Sequence, residues 1–261
     1  MSFFPPLNPP VPAWSDARVW IIGASYGIGA ATAQALLALG ARVALSARSE
    51  DKLRAIGGDN ARALIAPLDF TRGAEVATAW ERIRAEWGGC DLVLVVAGTH
   101  KEIRAWELTE AEADALLEIN LNGPIATVAA VLPGLLAQGR GALGIVSSVA
   151  GYRGLPKALI YGASKAALIN FTETLYLDLH PRGIGVYLIN PGFVATPLTA
   201  KNDFAMPHLI SADEAAREIV AGIERGEFEI HFPRAFTRQL KLLQLLPYRQ
   251  YFAAVRKATR L

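Results

Sequence analysis

The chain alternates short apolar runs with longer stretches in which apolar residues follow a helical spacing. The predicted strands cover residues 18–22, 41–46, 62–67, 92–96, 142–146, 185–189 and 228–232. The predicted helices cover residues 30–39, 71–87, 109–138 and 158–179, and a further one begins at residue 211. The run 92–96 is apolar throughout, as expected of a parallel strand buried on both faces. Strands that alternate with helices in this way predict an α/β fold with a doubly wound sheet.

A glycine-rich loop joins the first strand to the first helix. Gly23, Gly27 and Gly29 are spaced G-x-x-x-G-x-G. In a nucleotide-binding loop the first glycine allows a tight turn, the second lets a pyrophosphate approach the backbone, and the third lets helix and strand pack closely. The N-terminus of the following helix would face the phosphates. Plain turn chemistry is the alternative, but the strand before and the helix after the loop favour a dinucleotide site.

The ends of the second and third strands carry candidate contacts to the adenosine half of such a nucleotide. The second strand ends in Ala47-Arg48, at a point where an acidic residue would bind the ribose hydroxyls of NAD. The guanidinium of Arg48 instead suits a 2′-phosphate, although it could also be an ordinary solvated arginine. Asp69, after the third strand, could bond the adenine amino group. The sequence therefore favours NADP(H) over NAD(H).

A serine, a tyrosine and a lysine near the fifth strand are the candidate catalytic residues. Ser148 follows this strand, and Tyr161 and Lys165 lie four residues apart on the next predicted helix, so they share one face. An ammonium beside a phenol lowers the pKa of the phenol from about 10, which would let it exchange protons near neutral pH. The alternative is an ordinary Tyr and Lys on a solvated helix face.

Three further segments border the same predicted edge of the sheet. Ala97-Gly98 follows the fourth strand, and its lack of bulk lets backbone approach a ligand. Asn120 interrupts the apolar middle of helix 109–138, either as a satisfied core amide or as part of a site. The irregular segment 193–210 suits a lid. Its apolar side chains hint at an apolar substrate, and they are Phe193, Leu198, Phe204, Met206 and Leu209.

Composition restricts the remaining possibilities. With 261 residues, 52% of them hydrophobic, the chain can bury a sizeable core in one large domain or two small ones. The single cysteine, Cys90, cannot form an internal disulfide, so we expect a buried structural thiol in a cytoplasmic protein. The four histidines are scattered without metal-ligand spacing. No uninterrupted apolar run approaches the roughly 18 residues of a membrane span.

The two ends of the chain differ from its body. Residues 1–17 are rich in proline and lack the features of a signal peptide, so we interpret them as an arm, packed on the body or disordered. Residues 234–261 hold seven Lys or Arg and no acid, whereas the preceding part has 19 basic and 24 acidic residues. This basic amphipathic extension could lie on anionic lipid, cover the substrate cleft or form an oligomer contact, and we favour the latter two.

Taken in order, these motifs resemble those of the short-chain dehydrogenase/reductase family, over about residues 18–232. The glycine loop is similar to the family's phosphate loop, and Tyr161-Gly-Ala-Ser-Lys165 to its catalytic signature, with Ser148 thirteen residues before Tyr161. The other matching segments are Asp69, Ala97-Gly98, Asn120-Leu-Asn-Gly123 and Pro191-Gly-Phe-Val-Ala-Thr196. Each motif alone is weak, but six in the right order make a chance likeness negligible.

The resemblance implies a single Rossmann-like domain over residues 18–233, with a parallel seven-stranded sheet of order 3-2-1-4-5-6-7 flanked by helices. It implies that Tyr161 is the general acid/base and that Ser148 donates a hydrogen bond to the substrate carbonyl. Lys165 would bind the nicotinamide ribose and lower the pKa of Tyr161, and Asn120 would hold a water in the proton relay. The implied cofactor-binding residues are Gly23, Ser25, Tyr26, Gly27, Ile28, Gly29, Arg48, Asp69, Ala97, Gly98, Tyr161, Lys165, Pro191, Gly192, Val194 and Thr196.

Three positions depart from the family's pattern. Ile22 stands where a threonine usually precedes the first glycine, and Tyr26 replaces a small or basic residue in the loop. Val95-Val96 replaces an Asn-Asn pair whose side chains tie neighbouring strands together. We expect altered packing and weaker cofactor affinity rather than lost chemistry. Tyr26 also leaves Arg48 to bind a 2′-phosphate largely alone.

The sequence therefore predicts an oxidoreductase that transfers a hydride between NADP(H) and a carbonyl or secondary alcohol, with an apolar ketone as the expected substrate. One alternative is a non-catalytic nucleotide-binding scaffold or sensor of the same fold, and another is a membrane-surface reductase of a lipid-like ketone. Neither nucleic acid nor a metal ion is expected as a partner. The family commonly associates through its long helices, here 109–138 and 158–179, which implies a homodimer or homotetramer.

Overall fold

The computed structural model describes residues 5–201 and 206–259, and these residues fold around one parallel sheet. Its strands are β1 (Arg18–Ile22), β2 (Arg42–Ser46), β3 (Ala63–Ile65), β4 (Leu92–Val95), β5 (Gly141–Val146), β6 (Ile184–Pro191) and β7 (Glu229–Phe232). Neighbouring strands pair in the order β3-β2-β1-β4-β5-β6-β7, and every pairing is parallel. The predicted α/β class and strand order are confirmed.

Helices connect the strands and cover both faces of the sheet. They are α1 (Gly27–Ala38), α2 (Glu50–Gly57), α3 (Gly73–Trp87), α4 (Glu110–Leu117), α5 (Gly123–Gln138), α6 (Leu159–Leu179), α7 (Ala212–Glu224), α8 (Arg234–Gln244) and α9 (Tyr248–Thr259). One buried cluster joins α1 and α7 to the sheet and contains Val19 and Ile21 of β1. The other joins α3, α5 and α6 to the sheet and contains Trp20 and Ile22. Alternate residues of β1 thus enter different cores, as the two-residue period of a strand requires.

The strand register brings the carboxyl ends of the central strands level with one another. Ile22 of β1 lies beside Ser46 of β2 and Val95 of β4. Val95 in turn lies beside Ile145 of β5. The residues that follow these positions therefore meet at one edge of the sheet, which is where ligands bind in open parallel sheets.

The long helix predicted over residues 109–138 is interrupted near its middle. A π-helical turn, Glu118–Asn122, joins α4 to α5, and Asn120 lies within it. The buried amide of Asn120 bonds the backbone of Thr99, outside the helix. Asparagine amides compete for backbone groups in this way, and π turns are frequent at functional sites.

The same helical run, Glu110–Gln138, is the one among the described residues with the length and hydropathy of a membrane span. Its α5 part packs closely on α3, since a Cβ placed on Gly134 would lie 2.7 Å from Nε1 of Trp80. Val128 and Val131 of α5 are buried in the same core. These contacts are those of a helix that covers a sheet.

Two segments away from the carboxyl edge pack into the body. The side chain of Asn8, in the N-terminal arm, exchanges hydrogen bonds of 2.7 and 2.8 Å with the backbone of Val186. Trp14 of the arm donates to Glu224 over 2.8 Å. Cys90 is buried, and burial raises the pKa of its thiol to about 12. A thiol of that pKa carries almost no thiolate at neutral pH and is not an activated nucleophile.

Candidate active site

A cleft of about 570 Å³ lies at the carboxyl edge of the sheet. Its lining includes residues that follow β1, β2, β4, β5 and β6. Every predicted cofactor-binding residue lines it, as does Ser148. Asn120 does not line the cleft, but its side chain accepts a hydrogen bond from Thr99, and Thr99 does line it. The fold therefore brings the sequence-predicted residues into one cavity.

At two positions of the glycine loop, Gly23 and Gly29, any side chain would collide with neighbouring backbone atoms. Gly23 has a φ of +97°, and a Cβ there would lie 2.5 Å from the N atom of Ala97. A Cβ on Gly29 would lie 2.1 Å from the carbonyl oxygen of Gly23. The loop can hold this shape only without side chains at these positions, and it directs the N-terminus of α1 into the cleft.

The far end of the cleft, beyond β2 and β3, carries one acid and two cations. Thr71 bonds the Asp69 carboxylate over 2.8 Å and holds its pKa below the usual range. Arg48 is exposed and lies close enough to lower that pKa slightly. Lys52, also exposed, lines the cleft and lies 6.0 Å from the centre of the Tyr26 ring. Positive charge is therefore shared between Arg48 and Lys52.

Lys52 was missed in the sequence because α2 was not predicted. Only Leu53 and Gly57 of this short helix are buried, which is too narrow an apolar stripe to stand out. Ser49 at its N-cap position, with Glu50 and Asp51 in its first turn, was the available signal. A helix beginning there places Lys52 in its first turn, next to Arg48.

The candidate catalytic side chains meet at the opposite end of the cleft. The hydroxyl of Ser148 lies close enough to Tyr161 to lower the pKa of its phenol. The Lys165 side chain is buried, and its Nζ donates to the carbonyl oxygen of Val146 over 3.0 Å. The same Nζ lies 5.8 Å from the centre of the Tyr161 ring. Strand β5 and helix α6 therefore place a phenol, a hydroxyl and an amine around one point.

Close backbone packing holds the serine segment against α6. Ser148 caps a 3-10 turn, Val149–Gly151, by accepting from the N–H of Ala150 over 3.1 Å. A Cβ on Gly151 would lie 2.6 Å from the carbonyl carbon of Lys165. Ser147 donates to the carbonyl oxygen of Lys165 over 2.7 Å. These contacts fix the distance between the serine segment and the helix that carries Tyr161.

The pKa values of the two titratable groups differ from the simple expectation. Burial raises the pKa of Tyr161, and its hydrogen bond with Ser148 opposes that rise only in part. Burial also lowers the pKa of Lys165 to about 8. Loss of water is the largest cause of both shifts. That Lys165 lowers the pKa of Tyr161 stays a prediction.

We expect Lys165→Met to change how stability depends on pH. The buried ammonium has a pKa of about 8 and an ordinary lysine 10.5, so between these values the unfolded chain binds more protons. The wild type must then gain stability relative to the variant as the pH rises through this window, by up to about 3 kcal/mol. Urea unfolding of both proteins at pH 7, 8 and 10 measures the change. A stability difference that stays constant would show that Lys165 is not desolvated.

Asn120 lies beside the catalytic end without facing it. Its Oδ1 accepts from the N–H of Thr99 over 2.8 Å, and its Nδ2 donates to the carbonyl oxygen of Thr99 over 2.9 Å. Gly98 lies between the side chains of Asn120 and Lys165, since a Cβ there would lie 3.3 Å from Oδ1 of Asn120 and 3.5 Å from Nζ of Lys165. The amide of Asn120 therefore fixes the backbone after β4.

The valines at 95 and 96 leave the junction of β1 and β4 intact. Val95 is buried, and Val96 packs on the core of the other face of the sheet. The backbone N–H groups of Val96 and Ala97 both donate to the carbonyl oxygen of Ile22, over 2.8 and 2.9 Å. Backbone bonds thus join the strands where asparagine side chains are usual, and the valines change the packing around them.

His100 is a neighbour of Tyr161 that no sequence motif singled out. The two rings meet edge to face, with centres 4.6 Å apart. Burial lowers the pKa of His100, so the imidazole is mostly neutral at pH 7. A neutral imidazole can donate or accept one hydrogen bond at this end of the cleft.

Glu229 is a second residue without a sequence signal, and it supports the loop after β6. Its carboxylate accepts hydrogen bonds from Tyr152 over 2.6 Å, Asn190 over 2.9 Å and Lys241 over 2.5 Å. Burial alone would raise the pKa of this carboxyl, but these three bonds hold it below its usual range. The bonds join the segment after Ser148, the end of β6 and α8.

The segment predicted as a lid follows directly from that loop. Val194 pairs with Ile210 in an isolated bridge, so the two ends of the segment are joined. The ring of Phe193 lies 5.5 Å from that of Phe236 on α8, and Leu198 lines the cleft. Phe204, which we expected in this lid, lies outside the described residues. A lid movement remains a prediction.

Comparison with known proteins places these features in a family. A family model described as short chain dehydrogenase matches residues 17–206. An uncharacterized oxidoreductase of Myxococcus xanthus is 38% identical over 243 residues, covering 91% of this chain and 95% of that protein. An uncharacterized oxidoreductase of Staphylococcus saprophyticus is 30% identical over 222 residues, covering 80% and 92%.

Solved structures agree with the sequence comparisons. A short-chain dehydrogenase from Streptomyces avermitilis superposes with a TM-score of 0.78 at 25% identity, covering 94% of this chain and 98% of that one. One from Burkholderia cenocepacia, in complex with NADP, gives a TM-score of 0.81 at 27% identity, covering 92% and 97%. The family model spans most of the chain and the relatives are similar over nearly their whole length, so this protein belongs to the short-chain dehydrogenase family of oxidoreductases.

Proposed function

We propose that this protein is an NADP(H)-dependent carbonyl reductase that converts an apolar ketone into a secondary alcohol. The observation that carries the proposal is the group of three side chains at one end of the cleft. There Ser148, Tyr161 and Lys165 line one cavity, and the buried amine of Lys165 lies 5.8 Å from the centre of the Tyr161 ring. A scaffold that only binds a nucleotide has no need of this arrangement.

The other end of the cleft fits a dinucleotide. Gly23 and Gly29 let the loop pack tightly on neighbouring backbone, and the N-terminus of α1 faces the cleft where a pyrophosphate would bind. The cofactor-binding residues predicted from the sequence would hold the nucleotide along the cleft, with the nicotinamide toward Pro191, Gly192 and Thr196. Bound there, NADPH would supply the hydride that reduces the carbonyl carbon.

The chain's own residues would manage the proton and the charge on the carbonyl oxygen. Tyr161 gives its hydroxyl proton to that oxygen while Ser148 donates a hydrogen bond to it, so both stabilise the developing negative charge. The ammonium of Lys165 favours the phenolate that remains. A positioned proton donor of this kind contributes about 10²–10⁴-fold to the rate. Asn120 acts by holding the backbone at Thr99, and in our proposal it also helps retain a water of the proton relay.

Two cations support NADP(H) over NAD(H). Arg48 and Lys52 both line the cleft beyond β2, where the 2′-phosphate would lie. A phosphate there meets two positive charges, whereas the corresponding hydroxyl of NADH gains little from them. The Burkholderia cenocepacia relative was solved with NADP, which agrees with this preference.

We expect Arg48→Ser combined with Lys52→Ser to weaken NADPH binding at least about tenfold, because the double variant loses both charge-assisted contacts to the 2′-phosphate. NADH affinity should stay within about twofold. Calorimetric titration of each cofactor measures both changes. Arg54→Ser is the matched control, since Arg54 lies on the same helix, is exposed, and pairs with Glu50 instead of lining the cleft. Equal losses of NADPH and NADH affinity would place the phosphate elsewhere.

The apolar substrate is inferred from the side chains beyond the catalytic group. Leu198 and Val194 line the cleft, and the ring of Phe236, 5.5 Å from that of Phe193, contacts Gly192 of the lining. Such a wall favours a hydrophobic group next to the carbonyl. Use of NADPH favours reduction over oxidation. The enzyme is therefore expected to prefer ketones with large apolar substituents over small polar ones.

The proposal is tested by following NADPH consumption with a panel of ketones that share one carbonyl and differ in the length of an alkyl or aryl substituent. We expect kcat/KM to rise with apolar size and the product to be the secondary alcohol. Binding of NADPH without turnover of any ketone or aldehyde would favour the scaffold instead.

We also propose that the chain forms a homodimer or homotetramer through α5 and α6. Exposed apolar side chains lie on these helices, among them Ile125, Leu136 and Leu177. Burying such residues between copies is the usual way in which long helices associate. Light scattering at micromolar concentration is expected to give a molar mass of two or four chains, and a monomer at every concentration would contradict this.

A further inference from the structure

The corner between α8 and α9 carries a patch of apolar side chains that the body does not cover. Leu242 is 65% exposed, Leu245 79%, Tyr248 71% and Phe252 56%. We call these four residues the corner patch. They follow one another at intervals of three or four residues, and the rings of Tyr248 and Phe252 stack with centres 5.7 Å apart. Exposed apolar groups gathered in this way mark an interaction surface.

The corner patch is held in place from beneath. The guanidinium of Arg153 donates to the carbonyl oxygens of Leu243, Gln244 and Leu246 over 3.2, 3.0 and 2.6 Å, which ends α8. The same guanidinium lies 4.0 Å from the centre of the Tyr251 ring. The guanidinium also lies 4.8 Å from the centre of the Tyr248 ring, so the segment after Ser148 anchors the corner and one member of the patch.

Exposed positive charges lie on the same two helices as the patch. Arg238 on α8, and Arg249, Arg256 and Lys257 on α9, are all exposed. Within the part of the chain that the structure describes, none of the four pairs with a carboxylate, whereas Arg234 and Lys241 of the same region pair with Glu227 and Glu229. The sequence from 234 to 261 contains no acid. On the helical wheel of α9, Arg249 and Arg256 lie next to the side of Tyr248 and Phe252.

We propose that the corner patch docks on an anionic lipid bilayer, with its apolar side chains in the interface and the four cations at the headgroups. Apolar tips flanked by unpaired cations are the two features that interfacial helices need. A second copy of the chain fits less well. A symmetric contact through this patch would set the same cations against one another, which like-charge repulsion opposes.

The helix that carries part of the corner patch also borders the cleft. Helix α8 follows the carboxyl end of β7, and Phe236 on its inner side lies 3.0 Å from a Cβ placed on Gly192 of the cleft. Membrane docking would therefore bring the cleft close to the lipid surface. The inference itself does not depend on the proposed reduction and can be tested without substrate.

The test is co-sedimentation of the full chain with vesicles of phosphatidylcholine alone and with vesicles that contain phosphatidylglycerol as well, at low and at high salt. We expect binding to the anionic vesicles to be at least about tenfold tighter and to weaken with salt. Leu245→Glu and Phe252→Glu should each reduce it at least about tenfold. Leu39→Glu is the matched control, because Leu39 is an exposed leucine at the end of α1, by the opposite edge of the sheet.

Two further measurements separate lipid binding from self-association: vesicle binding by a charge variant, and the molar mass of the protein in solution. Arg249→Gln with Arg256→Gln should weaken binding to anionic vesicles and reduce its salt dependence, while circular dichroism shows that α9 still folds. The proposal is overturned if wild type binds neither vesicle, or binds both equally. It is equally overturned if Leu245→Glu leaves vesicle binding unchanged but converts an oligomer into monomers, since a second copy would then occupy the patch.

Discussion

Replacing Tyr161 by phenylalanine is expected to lower kcat by at least about 10³-fold while NADPH affinity stays within about threefold. The variant loses only the phenol hydroxyl. That hydroxyl is the proposed general acid for the carbonyl oxygen, and a positioned general acid contributes about 10²–10⁴-fold. The ring and its contact with His100 remain, so the fold should not change. NADPH oxidation with the best ketone of the panel measures the loss.

Tyr176→Phe is the matched control for this prediction. Tyr176 lies on the same helix, α6, and its hydroxyl donates to the carbonyl oxygen of Leu7 on the outside of the domain. Its loss should change kcat by less than about twofold, because no reacting atom lies near it. Equal activities of Tyr161→Phe and wild type would remove Tyr161 from the chemistry and leave the proposed mechanism without its acid.

Replacing Gly29 by alanine is expected to weaken NADPH binding at least about 100-fold and to lower the free energy of unfolding by about 2 kcal/mol. The new Cβ would lie 2.1 Å from the carbonyl oxygen of Gly23 and 2.9 Å from its carbonyl carbon. Both are backbone atoms, so the loop must move and α1 must shift away from β1. The groups that would face the pyrophosphate then lose their arrangement.

The control for the glycine loop is Gly73→Ala. Gly73 begins α3, and no heavy atom lies within 4 Å of a Cβ placed on it, so alanine should be neutral or slightly stabilising there. Calorimetric titration and urea unfolding of both variants separate a local effect from a general one. Normal NADPH affinity in Gly29→Ala would mean that the glycine loop does not hold the phosphates.

Much of the fold could be predicted because its signals are local. The strands of a doubly wound sheet are short apolar runs, so β1 and β4 were located to within one residue at either end. The end of each apolar run also indicated where the site lies, because the residues that follow parallel strands lie together at the carboxyl edge of the sheet. Gly23, Ser148 and Arg48 could be assigned to the cleft on that ground alone.

The features that were missed depend on contacts between distant segments. The π turn at Asn120 exists because its amide bonds Thr99, and the surrounding residues stay apolar whether or not the helix is broken. Glu229 gathers Tyr152, Asn190 and Lys241 from three segments, which no local pattern records. Such networks depend on how elements pack, and one sequence read in order does not contain that information.

The pKa of Tyr161 shows the same limit at the level of chemistry. Four-residue spacing correctly placed Lys165 beside it, but the sign of the pKa shift depends on how much water both groups lose, which spacing does not record.

The C-terminal extension also shows what a sequence pattern leaves open. Its charge and apolar content were visible in the sequence, whereas the division of α8 into an inner side on the cleft and an outer exposed side required the structure.

The most direct test of the nucleotide site is parallel calorimetric titration of the wild-type protein with NADPH and NADH. We predict one NADPH bound per chain with a micromolar or tighter Kd, and NADH bound at least about tenfold more weakly, because Arg48 and Lys52 line the part of the cleft where we propose the 2′-phosphate to lie. No binding of either nucleotide would contradict a nicotinamide site in this cleft, and with it the proposed reduction.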